Sequence, residues 1–218
     1  MRVEAFSDAV FAFALTLLVV SLEVPKSFDE LVRTMKGFMP FACTFALVTW
    51  IWYEHNVFFR RYGMEDGVTI AINSALLFVV LFYTYPLKVV FSSFISGVIL
   101  RDADAIRVPL SNLSTLFVIY GIGFVVIFGL FALLYWRAHG RRKELGLDEL
   151  AAFDARASMR MHLLTVAVGL VSLTTALVAP MQLSWLAGPV YGLLAPVQFM
   201  NGSRMSKARE RLARRARE

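Results

Sequence analysis

Apolar runs at about residues 3–23, 35–59, 67–90, 110–136, 160–180 and 183–201 alternate with polar breaks at Pro25, Arg60-Arg61, 101–107 and the charged stretch 137–160. Each run approaches the roughly 20 apolar residues that carry a helix across about 30 Å of hydrocarbon. The pattern predicts an all-α polytopic membrane protein with six transmembrane helices, residues 1–201 forming one domain. Only Pro180-Met181-Gln182 separates the fifth run from the sixth, which predicts a tight hairpin. Residues 202–218, rich in Ala, Arg and Glu, read as a basic tail forming a solvated helix or one lying against headgroups.

Composition agrees with lipid as the solvent. Hydrophobic residues make up 58% of the chain and charged residues 17%. The net charge of +6 does not indicate nucleic acid, because the 22 Lys and Arg residues fall at the ends of the apolar runs. With the N-terminus inside, 16 of them face the cytoplasm and six face outward. That asymmetry predicts an even number of spans with both termini cytoplasmic. The first run is interrupted early by Asp8 and ends in Glu23-Val24-Pro25 without an Ala-x-Ala site, so it reads as a retained helix and not as a removable signal. Cys43 is the single cysteine, and His55, His139 and His162 share no metal-ligand spacing. No phosphate-binding glycine loop or HExxH segment occurs, so nothing points to an enzyme.

Charged and polar groups inside spans are costly and each needs a partner. Asp8 in the first span, His55 in the second and Asn73 in the third lie within roughly 8–10 Å of the same membrane face at 1.5 Å per residue. Ser7, Glu54 and Asn56 lie close by in sequence. The group reads as an interhelical hydrogen-bonded clasp. A proton relay or ion site built on a carboxylate and an imidazole is the functional alternative.

At 100° per residue, Ala9, Phe13, Thr16 and Val20 fall within an arc of about 60°, with Leu17 beside it, while Asp8 lies about 100° away. In a lone helix Thr16 bonds back to the Ala12 carbonyl and the stripe faces lipid or core. If several copies of the helix surround an axis, the stripe becomes rings of apolar side chains with one ring of hydroxyls. Such rings gate by dewetting and replace part of an ion's hydration shell.

The stretch Arg2-Val-Glu-Ala-Phe6-Ser7-Asp8, continuing through Thr16 and Leu17 to Val20, resembles the RxxxFSD signature of the transmembrane protein 175 family, the lysosomal-type potassium channels, in its prokaryotic single-repeat form. Trp52-Tyr-Glu-His55 and Ile72-Asn73-Ser-Ala-Leu-Leu-Phe support the likeness. It covers the first three spans well and the last three only by number and topology. The resemblance implies a homotetramer in a bacterial inner membrane, with the first helices lining a central pore that passes potassium in preference to sodium. The implied channel lacks a TVGYG filter, and no such segment occurs here. The implied constriction falls on Phe13, Leu17 and Val20, and the selectivity threonine on Thr16. The implied interhelical network comprises Arg2, Phe6, Ser7, Asp8, His55 and Asn73. The implied partners are other copies of the chain, the bilayer and permeant potassium ions, with no cofactor and no nucleic acid. One departure is visible: the family commonly has Ile in the place of Phe13 and Leu near Val20. A proton-coupled secondary transporter or a proton-conducting channel is the alternative reading, drawn from Asp8 with His55 and from Pro189 and Pro196 in the last run; a non-conducting scaffold is a third.

Overall fold

A computed structural model describes residues 2–20, 25–99 and 108–215. The described residues are helical throughout, with α1 at Arg2–Val20, α2 at Phe28–Lys36, α3 at Phe38–Tyr62, α4 at Gly67–Phe91, α5 at Leu110–Gly140, α6 at Glu149–Val178 and α7 at Leu194–Arg215. A π-helical stretch, Ser92–Ile99, continues α4. Two 3-10 segments, Met181–Ala187 and Pro189–Leu193, join α6 to α7.

Four helices among the described residues are long and apolar enough to cross a membrane: Arg2–Val20, Gly67–Ile95, Ser111–Gly140 and Glu149–Val178. The second predicted span, α3, has 25 residues and so is about 37 Å long. It is more polar, carrying Glu54, His55, Arg60 and Arg61. The sixth predicted span is not one α-helix. Gly188 and Pro189 interrupt it, since proline lacks the amide a helix interior needs. The final helix then starts at Leu194 and runs through the boundary expected at residue 201, so the apolar segment and the basic tail share one helix.

Local signals explain where the helices stop. Gly63 takes φ 57°, a left-handed cap that ends α3. Three residues later Asp66 caps α4 by accepting from the amides of Val68 and Thr69. Ser27 and Asp148 cap α2 and α6 in the same way.

The most extensive helix pair is α5 with α6. Along α5 the buried positions Tyr120, Phe124, Ile127, Phe128, Phe131, Leu134, Tyr135 and Ala138 recur at spacings of three and four, forming one stripe. His162 of α6 is stacked among Phe128, Phe131 and Tyr135 at centroid distances of 6.0, 5.2 and 5.3 Å. Small residues let these elements close up. A Cβ at Gly123 would sit 2.2 Å from the Tyr83 ring, so the ring of α4 occupies the notch that glycine leaves. The Tyr83 hydroxyl there donates to the Tyr120 carbonyl at 3.0 Å.

One end of the bundle is held by ions. Asp66 pairs with Arg137 in the last turn of α5 and, at 2.8 Å, with Arg141, which caps that helix. Asp154 of α6 pairs with Arg61 of α3 and, at 2.9 Å, with Arg209 of α7. Burial pushes the Asp66 carboxyl up, but hydrogen bonds from Thr69 and Arg137 outweigh it and hold it at about 2. These contacts tie the α3–α4 turn, the α5–α6 connection and the terminal helix together at the end where α1 begins.

Candidate pore face and polar clasp

Helix α1 divides along its length into two faces. Ser7, Phe11, Ala14 and Leu18 are buried and fall within an arc of about 60°. The exposed positions, from Arg2 through Ala5, Phe6, Ala9, Ala12, Phe13, Thr16, Leu17 and Val19 to Val20, occupy one continuous arc of about 160° diametrically opposite. Phe13 is 57% exposed, Leu17 41% and Val20 70%. The residues predicted to ring a pore therefore share the uncovered face of a helix whose other face is packed on α3 and α4.

Thr16 donates its hydroxyl to the Ala12 carbonyl at 2.8 Å. This is the back-bond predicted for a lone helix. It uses the hydroxyl proton, so the oxygen lone pairs are left toward the exposed side.

The polar groups expected at one level come together as two units. In the first, Asn73 of α4 donates to Ser7 of α1 at 2.9 Å and faces His55 Nε2 of α3 at 2.8 Å. Ser7 in turn donates to its own helix at Val3, 2.8 Å away. Because Ser7 spends its proton on Val3, Asn73 must present its amide nitrogen to Ser7 and its oxygen to His55. Nε2 of His55 then carries the ring proton, an assignment made from the network. His55 Nδ1 is buried without a hydrogen-bond partner. The imidazole sits between Phe59, stacked at 4.5 Å, and Phe11 at 5.5 Å. In the second unit, Trp52 Nε1 donates to the Asp8 carboxylate at 2.8 Å.

Asp8 was expected beside His55 and Asn73, yet Ser7 takes that place. Equal depth does not fix the face: Ser7 points into the bundle, and Asp8 is turned 100° farther round, where the Trp52 indole meets it. Arg2 and Phe6 lie on the exposed arc, on the far side of α1 from Ser7. Glu54 belongs to neither unit and approaches His162 of α6, with Nε2 to Oε2 at 3.7 Å. Trp52 and the Glu54–His162 approach were not singled out from sequence as contacts. The run Trp-Tyr-Glu-His was visible as a unit, but which of its members meets which helix depends on tertiary packing. No group of three or more His, Cys, Asp or Glu side chains suited to a metal ion occurs among the described residues.

Comparison with known proteins places this geometry. Residues 2–83 match the family described as the endosomal/lysosomal potassium channel TMEM175. A protein of Marivirga tractuosa named as a potassium channel is 40% identical over 222 residues, an alignment covering 97% of this chain and 90% of that protein. The crystal structure of a variant of the potassium channel MtTMEM175, bound to a nanobody–MBP fusion, superposes with a TM-score of 0.83 at 40% identity, covering 95% of this chain and 94% of the other. A lysosomal potassium-selective channel TMEM175 homologue from Chamaesiphon minutus shares the fold at 22% identity, with a TM-score of 0.61 over 94% of this chain and 96% of that one. The chain therefore belongs to the TMEM175 family, a family of potassium channels and not of enzymes.

Proposed function

We propose that four copies of the chain surround an axis lined by the exposed arc of α1 and conduct potassium in preference to sodium across a bacterial inner membrane, with both termini in the cytoplasm. The supporting observation is the split of α1 into a packed face and an uncovered one. Other helices also expose apolar side chains, but their stripes differ in kind. On α4 the exposed stripe is Phe78, Phe82 and Tyr85, bulky rings suited to lipid. The α1 arc instead combines Ala5, Ala9 and Ala12 with the Thr16 hydroxyl. Small residues let helices approach one another closely, as an axial assembly requires.

In the tetramer, Phe13, Leu17 and Val20 form stacked apolar rings over about 10 Å of axis. Water leaves such a constriction readily, so the rings control conduction by dewetting. Thr16 lies between Phe13 and Val20, and four of its oxygens, with lone pairs free, replace part of the hydration shell of a passing cation. Potassium holds its water less tightly than sodium and so loses less on entry. The Ser7–Asn73–His55 unit and the Asp8–Trp52 bond hold each α1 against its own subunit, so the rings keep their diameter. No cofactor enters this scheme.

A proton-coupled carrier is the second reading, favoured by the helix break at Gly188–Pro189. Purified protein in planar bilayers separates the two: discrete unitary potassium currents are expected, and saturable electrogenic flux without them would establish the carrier. For the filter, Thr16→Ala should lower the potassium-to-sodium flux ratio in liposomes. An unchanged ratio would remove Thr16 from selectivity.

A further inference from the structure

A cavity of about 410 Å³ lies at the junction of the α5–α6 connection with α7. None of its lining residues belongs to α1, and it is not used by conduction as proposed above. Its cationic lining comes from Arg142 and Lys143, just past the end of α5, and from Arg156 on the second turn of α6. None of these three is ion-paired among the described residues, unlike Arg61, Arg137, Arg141 and Arg209, which all engage carboxylates. Arg142 donates only to the His139 carbonyl, at 3.3 Å, and Arg156 meets only the His139 ring, at 3.3 Å. His139 itself is fixed by Ala152 O, 3.1 Å from Nδ1. Three positive charges thus line one concavity, none of them in a salt bridge among the described residues.

Depth and wall chemistry narrow the ligand. His139 lies three residues beyond the apolar run of α5, and Arg156 four residues before that of α6, which is within about 6 Å of the hydrocarbon edge. That is the headgroup layer, roughly 5–8 Å thick on each side of the bilayer. The rest of the wall includes Phe153 and, from the terminal helix, Leu212. A cavity of this size accommodates a small organic anion. Two carboxylates also border it: Asp148, which caps Ala151 at 2.6 Å, and Glu149. They offset part of the cationic charge and oppose an anion, so the three cations must outweigh them.

We propose that this cavity binds a phosphate group, the chemistry that a phospholipid headgroup and free phosphate share, through Arg142, Lys143 and Arg156.

The test uses the full-length protein in nanodiscs of phosphatidylcholine, with a fluorescent short-chain phosphatidylglycerol as probe and inorganic phosphate as competitor. Removing two of the cations in Arg142→Gln/Arg156→Gln should weaken probe binding by about thirtyfold, at roughly fivefold per cation at a membrane surface. Arg160→Gln, one turn farther along α6 and outside the cavity lining, should leave it within twofold. Glu149→Gln should tighten it, a gain that misfolding does not imitate. Displacement of the probe by millimolar inorganic phosphate identifies a site for phosphate from either source; resistance to displacement identifies a headgroup site. Three results would each overturn the proposal: no preference for the probe over phosphatidylcholine, equal losses in Arg160→Gln and the double variant, or no tightening in Glu149→Gln.

Discussion

Helix α1 buries 22% of its apolar window and α5 buries 39% of its own, although both are apolar enough to cross a membrane. The two are also held differently. In the α4–α5–α6 region, shape does the holding: the Tyr83 ring fills the Gly123 notch, and a Cβ at Gly169 would come within 2.8 Å of Phe124. In α1, a single narrow stripe is packed, with Phe11 against His55, and hydrogen bonds from Asn73 and Trp52 add to it near the start. Lipid is as apolar as leucine, so burying apolar surface between helices gains little there; close packing and hydrogen bonds remain as the means of association. The bundle uses the first for its scaffold and the second for the helix that must keep half its surface uncovered.

The sharpest way to break this contrast is to fill the notch. Gly123→Leu forces the Tyr83 ring out and ends its bond to the Tyr120 carbonyl, a cost of about 3 kcal/mol or more. The expected outcome is loss of monodisperse protein on size-exclusion chromatography; a well-behaved variant with unchanged melting temperature would show that shape is not what holds α4 to α5.

Next in size is the clasp. Asn73→Leu removes two hydrogen bonds and leaves Ser7 and His55 buried without that partner, which should destabilise the fold by about 1–2 kcal/mol. Thermal unfolding in detergent measures it. Adding Ser7→Ala should cost little more, because the shared bond is already gone; full additivity would mean that Ser7 and Asn73 act independently.

A smaller effect, and one that depends on pH, is expected at the ionic end. The Asp66 carboxyl lies at about 2 in the folded chain against 3.8 in an ordinary setting. A depressed value means that the folded state binds the proton less tightly, so the stabilisation is complete above 3.8 and fades as pH falls through about 2. Asp66→Asn should therefore melt below the parent protein at neutral pH, and the gap should close on acidification toward pH 2. Asn retains an oxygen that can cap α4, so a gap that persists there would show that the charge of Asp66 is not what stabilises this end.

The smallest change in stability is expected on the exposed arc. Thr16→Val deletes a bond that stays within α1, so the melting temperature should move by an amount equivalent to less than about 0.5 kcal/mol. A larger drop would mean that this face is part of the scaffold.

Hydropathy and charge made four of the long helices legible in the sequence, together with the end of the bundle that gathers basic residues. The interruption after α6 was less so. Pro189 and Pro196 were visible in the run 183–201, yet its length and apolarity matched those of a sixth span. The clasp was legible as a level and not as a set of bonds. Depth follows from counting residues, but the choice of Ser7 over Asp8 as the partner of Asn73 depends on how α1 is rotated against α4. Glu54 and His162 are separated by more than 100 residues in sequence and by two intervening helices, so no local pattern announces their approach. By contrast, the exposed arc of α1 follows from 100° per residue once one face is known to be packed.

The short, paired hydrogen bonds of α1 near its start bear on how such a chain can diverge. Replacing Phe13, Leu17 or Val20 leaves the Asn73–Ser7 and Trp52–Asp8 bonds untouched, since these lie on other faces and nearer the start of the helix. Mutational drift can therefore run along one side of a helix while its anchorage stays constant, so descendants of one scaffold are free to differ at these positions without each having to solve folding again.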